Sequence, residues 1–188
     1  MKIRYALVTL AWLAIPAFAG QYSLDLKPDN TTVEWTLGDA LHTVHGTFRL
    51  KSGRIAFDSD TGAASGEVLV DVTSGQSGSE ARDRRMQANV LESAKYPEAV
   101  FIPSGFEGKV AVPGTSNVKL HGTFRIHGAA HEMTMTVQTV AAEEQVSATL
   151  GFEVPYVAWG MKDPSNFLLK VSKSVQCAIH FKGPLTKD

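Results

Sequence analysis

Cysteine is nearly absent from this 188-residue chain: Cys177 is the only one. An intrachain disulfide is therefore excluded, and stability has to come from burial. With no neighbouring His or Cys to activate it, and on the apolar side of a strand pattern, Cys177 reads as a small buried hydrophobe and not as a redox centre. Charge of one sign is lacking as well. The 18 basic and 19 acidic residues nearly cancel, so neither nucleic acid nor an anionic membrane is expected as a partner. Beyond residue 19 no apolar run is long enough to span a bilayer, so permanent membrane insertion is not expected either. Catalytic punctuation is also missing: there is no nucleophile elbow, Walker loop, dinucleotide fingerprint or H-E-x-x-H helix. No enzyme and no cofactor is expected on these grounds.

What is present begins with a leader. Lys2 and Arg4 precede an apolar run over residues 5–18, and Ala17-Phe18-Ala19 closes it. A charged start, an apolar middle and a small-residue site are the parts of a cleaved signal peptide, here residues 1–19, which places the mature protein outside the cytoplasm. Gly20 follows instead of Cys, so lipid attachment at the new N-terminus is not available. Residues 20–188 are long enough to bury one real core and are read as one domain.

Most of that domain alternates apolar and polar residues with period two, the mark of strands with one buried face. Tyr22, Leu24 and Leu26 share a face, then Val33, Trp35 and Leu37, then Val44, Gly46, Phe48 and Leu50. Ser52-Gly53 is expected to turn the chain into a hairpin. Val68, Val70 and Val72 follow, then residues 99–102 and 108–112, then Val118 to Ile126 in numbers 118–126. Met133, Met135 and Val137 mark the next strand, and Val146, Ala148, Leu150, Phe152 and Val154 the one after. A last strand is expected from Phe167 onward, with Leu169, Val171, Val175, Cys177, Ile179 and Phe181 on its apolar side. The peptide HGTFR occurs at residues 45–49 and again at 121–125, which is read as two strands in the same environment.

One segment breaks the period. Ser77 stands three residues before Glu80 in the arrangement of a capping box. Arg82, Met86 and Val90 then recur at helical spacing with Leu91 beside them, and Pro97 predicts an end by about Lys95. Eight to ten strands with one inserted helix predict an all-β fold, an antiparallel sandwich or closed barrel whose helix covers one opening. Such an interior either packs solid or holds one elongated ligand.

The histidines do not make a metal site. His42 and His45 fall on opposite faces of a strand, and His127 and His131 flank a turn without a Cys or Asp to join them. An apolar interior near a helix bearing Arg82, Arg84 and Arg85 suits a long lipid with a polar or anionic head; a solvated helix face is the alternative.

The stretch around the helix also resembles a known family. Arg82-Asp83, Met86, Leu91, Lys95-Tyr96-Pro97 and Phe101 match the signature of the YceI-like family of secreted lipid-binding proteins, supported by Tyr22-Ser23-Leu24-Asp25, by residues 43–48, and by Leu120-His121-Gly122. The resemblance implies a lipocalin-like eight-stranded antiparallel barrel in the periplasm that holds an isoprenoid lipid, a polyprenyl chain or an isoprenoid quinone. It makes Trp35, Phe48, Val68, Val70, Val72, Met86, Val90, Phe124, Met135, Leu150, Phe152, Leu169, Val171, Val175 and Ile179 the expected cavity lining, with Arg82, Arg85 and Tyr96 at the mouth. The chain departs from the family at Arg85, where a histidine is usual, and at Leu37-Gly38-Asp39-Ala40, where Lys-His-x-Gly is usual. The lipid, its headgroup and a homodimeric state stay open at this stage, as do a filled barrel that binds a protein partner and an enzyme acting on the lipid.

Overall fold

The computed structural model describes residues 20–38, 42–167 and 170–187. The expected signal peptide, Asp39, Ala40 and Leu169 lie outside the described residues. Strands β1 (Gln21–Leu26), β2 (Thr31–Gly38), β3 (Thr43–Asp58) and β4 (Ala64–Gln76) come first. A short helix α1 (Glu80–Arg85) follows and runs into one π-helical turn (Met86–Val90). Then come β5 (Glu98–Glu107), β6 (Gly114–Ile126), β7 (Ala129–Ala142), β8 (Gln145–Val154), β9 (Val175–Pro184) and β10 (Thr186–Lys187).

From β2 onward each of the long strands pairs antiparallel with the next, and β9 returns to β2 to close the ring. Ten strands make eight staves. β1 lies along the second half of β3 and β2 along the first half, so the two form one stave interrupted at residues 27–30. β9 and β10 form another, pairing with β2 and β1 in turn. The result is the all-β, eight-stranded, lipocalin-like meander barrel with one inserted helix.

Register confirms which face is inside. Val33 stands between Phe48 and Ile179, Ile179 opposite Leu150, and Leu150 opposite Val137, so the apolar residues of five neighbouring strands meet on one side. At the end away from the helix they pack into a cluster of Leu26, Val33, Leu50, Val68, Ala141, Val146, Phe181 and Leu185. Leu50 is 2% exposed. A second cluster, Val154, Tyr156 and Met161 with Val90, Leu91 and Trp159 against it, closes the helix end.

Several local expectations are corrected. Ser52-Gly53 does not turn the chain; β3 runs through it as one 16-residue strand with a register shift between Leu50 and Ser52. A bulge and a tight turn share the same residue types, because both need a kinked backbone. Residues 108–112 are irregular and the next strand starts at Gly114. The last strand starts at Val175, not Phe167: Phe167 is 95% exposed, and Val171 sits in the loop of residues 155–174, tied to Ser165 Oγ by its own N–H at 3.0 Å. The capping box does not form. Ser77 Oγ bonds Asp83 Oδ1 and accepts from Arg82 Nε at 2.7 Å, while Ser79 is the N-cap residue, without a side-chain bond. The helix ends before Lys95 because Glu92 turns left-handed at φ 45°.

The repeated HGTFR peptides do share an environment. His45 Nδ1 pairs with Thr36 Oγ1 at 3.0 Å and His121 Nδ1 with Thr134 Oγ1 at 2.9 Å, each across an outer face. In each the glycine lies beneath an aromatic ring, Trp35 over Gly46 and Phe101 over Gly122.

The helix is hung from a bulge in β4. Asp71, buried at 7% exposure, accepts from Thr73 N–H at 3.0 Å, from Thr73 Oγ1 at 2.5 Å and from Arg49 Nη2 at 2.8 Å. The Thr73 bonds foremost, with help from Arg49 and against burial, hold its carboxyl below the usual carboxylate range. A depressed folded pKa means stability that is present above pH ~4 and lost as pH falls through the lower, folded value. Asp71→Asn is expected to cost about 2 kcal/mol at pH 7 and to flatten the fall of the urea midpoint below pH 4. An unchanged acid slope in the variant would show that Asp71 is not its source.

Candidate functional site

The inward row of the barrel is built by the strands' parity. Trp35 stands opposite Gly46 and Cys177, Cys177 opposite Phe152, Val68 opposite Phe101, and Phe101 opposite Phe124. Val70 stands opposite Leu50, Met135 opposite Leu120, and Val175 opposite Val154. From the helix, Met86 reaches the same place as the Phe48 ring: a Cβ added to Gly75 would meet Phe48 Cε1 at 2.5 Å and Met86 Cε at 2.7 Å. Val90 packs on the helix-end cluster. Of the expected lining residues that lie within the described residues, then, all but Val171 lie on inward strand positions or on the inner side of the helix.

Burial is uneven along this row. Phe48, Val70 and Ile179 are half-buried where they pack against the first cluster, Phe124, Phe152, Val175 and Cys177 where they pack against the second, and Leu150 is half-buried as well. A side chain pointing into a closed ring can keep accessible surface only toward an internal space or a mouth. Cys177 makes the point most sharply, since it sits deep enough that burial pushes its thiol up to about 12 and yet retains accessible surface. At that value the thiol is uncharged at neutral pH, consistent with a lining residue and not a nucleophile.

The residues expected at the mouth are held elsewhere. Arg82 folds back on Ser77, its Nη2 donating to the Ser77 carbonyl at 2.7 Å, and so fastens the start of the helix. Arg84 pairs with Glu80 at 3.3 Å and Arg85 is exposed. Tyr96 packs on the β6–β7 turn over Gly128, its ring 4.5 Å from the His127 ring and tilted 49° to it. His127 Nε2 in turn is 2.8 Å from Glu92 Oε2, so this cluster fastens the chain after the helix to the hairpin. Two surface grooves flank it. One of about 840 Å³ lies between the helix and β4, lined by Thr73, Gln76, Glu80, Arg84 and Gln87; the other, of about 410 Å³, is lined by Tyr96, Arg125 and Ala130. Both are outside the barrel wall.

Sequence reasoning missed His131 and Trp159. His131 faces inward because it stands opposite Phe124, and its ring stacks on Trp159 with centroids 3.8 Å apart and planes at 6°. The signal was there: His131 precedes Met133, Met135 and Val137 at period two, so the same parity that placed those residues inside also places it inside. Among the described residues no group of three or more His, Cys, Asp or Glu side chains is arranged to hold a metal ion, and no helix is long and apolar enough to cross a membrane.

Residues 24–183 match the family model of the YceI-like domain. No curated protein matches the chain. Among solved structures, BcnA of Burkholderia cenocepacia is similar at 20% identity, with 81% of this chain and 96% of that chain covered and a TM-score of 0.66. A polyisoprenoid binding domain from Saccharophagus degradans, implicated in plant cell wall breakdown, aligns at 15% identity over 89% of this chain and 98% of that one, with a TM-score of 0.68. The YCEI protein of Campylobacter jejuni aligns at 17% identity over 77% and 86%, with a TM-score of 0.64. At these identities the likeness carries the fold.

Proposed function

The chain belongs to the YceI-like domain family, and from that premise we propose that it is a periplasmic binding protein that holds or transports an isoprenoid lipid in its barrel. The observation that carries this reading is the uneven burial of the inward row: apolar side chains around a closed ring retain accessible surface even where they pack against the two buried clusters. An apolar chain placed there would remove that surface from water at ~25 cal/mol per Å². The polyisoprenoid binding of a structural relative and the leader-like residues 1–19 support the same reading. The site is one of binding, not turnover: its lining is aliphatic and aromatic, and its one thiol is held neutral.

Protein purified from its own periplasm is expected to release a bound lipid on organic extraction and to show the added mass by native mass spectrometry. Absence of lipid by both methods, together with no uptake of a prenyl quinone or prenyl phosphate, would overturn the proposal.

A further inference from the structure

Summed over the chain, charge nearly cancels, and on that sum an anionic membrane is not an expected partner. Its distribution along the barrel is another matter. At the end away from the helix, the connections over residues 59–63, 108–113 and 143–144 hold Asp60, Glu143 and Glu144 against Lys109. At the helix end, the loop of residues 155–174 holds Lys162, Lys170 and Lys173 against one acid, Asp163. All three lysines are exposed, and among the described residues none is in an ion pair. The described acids of the helical connection at this end are already engaged, Glu80 by Arg84, Asp83 by Ser77 and Glu92 by His127. The unengaged charge here is basic, and the exposed Arg85 adds to it.

The same loop holds an aromatic ring out in water. Phe167 is 95% exposed; among the described residues the other exposed large apolar side chain is Val140, at 55%. The chain is pinned on both sides of Phe167, because Val171 N–H donates to Ser165 Oγ at 3.0 Å and Ser165 N–H donates to Asp163 Oδ1 at 2.9 Å. Ser165 foremost, and then Lys173 and Lys170, hold the Asp163 carboxyl below the usual carboxylate range, so both lysines lie within electrostatic reach of this pinned segment. Nearer β8, the buried Tyr156 and Met161 pack with Val90 and Leu91, which fixes the loop to the helix end.

A ring left in water is apolar surface that the fold does nothing to hide. At a bilayer the ring enters the boundary of the acyl chains, while lysine stems lie along apolar surface and carry their ammonium groups to the phosphates. A protein interface needs a patch of several hundred Å² on each side, and one ring among lysines is not such a patch. We propose that the face formed by Phe167, Lys162, Lys170 and Lys173 is a docking site for an anionic lipid bilayer. Docking turns the helix end toward the bilayer. With it turns the seam where β7 and β8, paired from Val137 and Leu150 to Ala142 and Gln145, part company and Trp159 stacks on His131. If the carrier reading holds, this is the end through which an apolar chain meets the least water; the docking itself does not rest on that reading.

The test sediments protein purified from its own periplasm with vesicles of phosphatidylcholine alone or of equimolar phosphatidylcholine and phosphatidylglycerol. Binding to the mixed vesicles is expected, with little to the neutral ones and a loss as salt is raised. Lys162→Gln, Lys170→Gln and Lys173→Gln together are expected to weaken it about a hundredfold, and Phe167→Ser about tenfold. Lys27→Gln, Lys109→Gln and Lys187→Gln together change the net charge equally, away from the loop, and are expected to leave binding unchanged. The substituted side chains are all exposed, so thermal midpoints are expected to stay at the wild-type value. Failure of the unaltered protein to sediment with the mixed vesicles, equal losses in the two triple variants, or wild-type binding by Phe167→Ser overturns the inference. None of these outcomes touches the lipid-extraction test, which decides the carrier reading separately.

Discussion

Gly46→Ala is expected to lower the unfolding free energy by about 3 kcal/mol, the upper part of the range for overpacking, and to abolish ligand binding with it. A Cβ on Gly46 would overlap two things at once, the Gln76 carbonyl oxygen and the Cε2 and Cζ2 atoms of Trp35. Neither can yield cheaply. Gln76 ends the β4 bulge from which the helix is hung, and Trp35 is 4% exposed with Phe48 at 6.3 Å on its other side. Any relief therefore moves the helix or turns the indole out of the inward row. Gly38→Ala is the control, since a Cβ there meets nothing within 4 Å. Urea midpoints of the two variants that coincide would show that the Trp35–Gly46 contact is not tight.

Ile179→Trp is expected to do the opposite: to keep the fold and lose the ligand. Ile179 lies between Val33 and Leu150 in the half-buried part of the inward row. If the space beside it is where an isoprenoid tail runs, the indole fills it, affinity falls at least about a hundredfold, or ~2.7 kcal/mol, and stability is nearly unchanged. A solid core would instead be overpacked and lose ~1–3 kcal/mol. Thermal unfolding and quinone titration of the same sample separate the two, and a destabilised variant that still binds would sink the hollow-barrel reading.

Parity made most of the barrel legible from the residues alone. Any strand with one buried face announces itself by period two, so the inward placement of Val68, Phe124 or Ile179 needed no knowledge of which strand lies next to which. Parity fails where the chain alternates without pairing. The pattern at Phe167, Leu169 and Val171 reads as strand, but Val171 N–H bonds Ser165 Oγ, and the Ser172 backbone bonds only the Gly38 carbonyl at the end of β2 and Tyr156 Oη, so the continuous ladder starts at Val175. The bulge at Leu50 and Ser52 was hidden for a related reason, since a bulge and a turn draw on the same residues. The site was less legible than the fold. Arg82 was a reasonable headgroup ligand by chemistry, yet whether a guanidinium meets a lipid or the serine five residues back depends on local geometry that no spacing encodes. His131 carried its own parity signal, which a search for metal ligands looked past.

The seam between β2 and β9 also governs how this barrel comes to exist. It joins residues 31–36 to residues 176–181, positions some 140 to 150 apart in the chain. Every other neighbouring pair of staves is joined in chain order by a turn, by the single helical excursion or by the loop of residues 155–174, so hairpins can assemble early and locally. The ring cannot. Until the ninth strand arrives, the growing sheet presents two open edges of the kind that invites intermolecular strand addition, and the lumen has no wall on that side. The lumen is consequently the last part of the molecule to be completed, and a chain cut short before Val175 would have a sheet without having a closed ring.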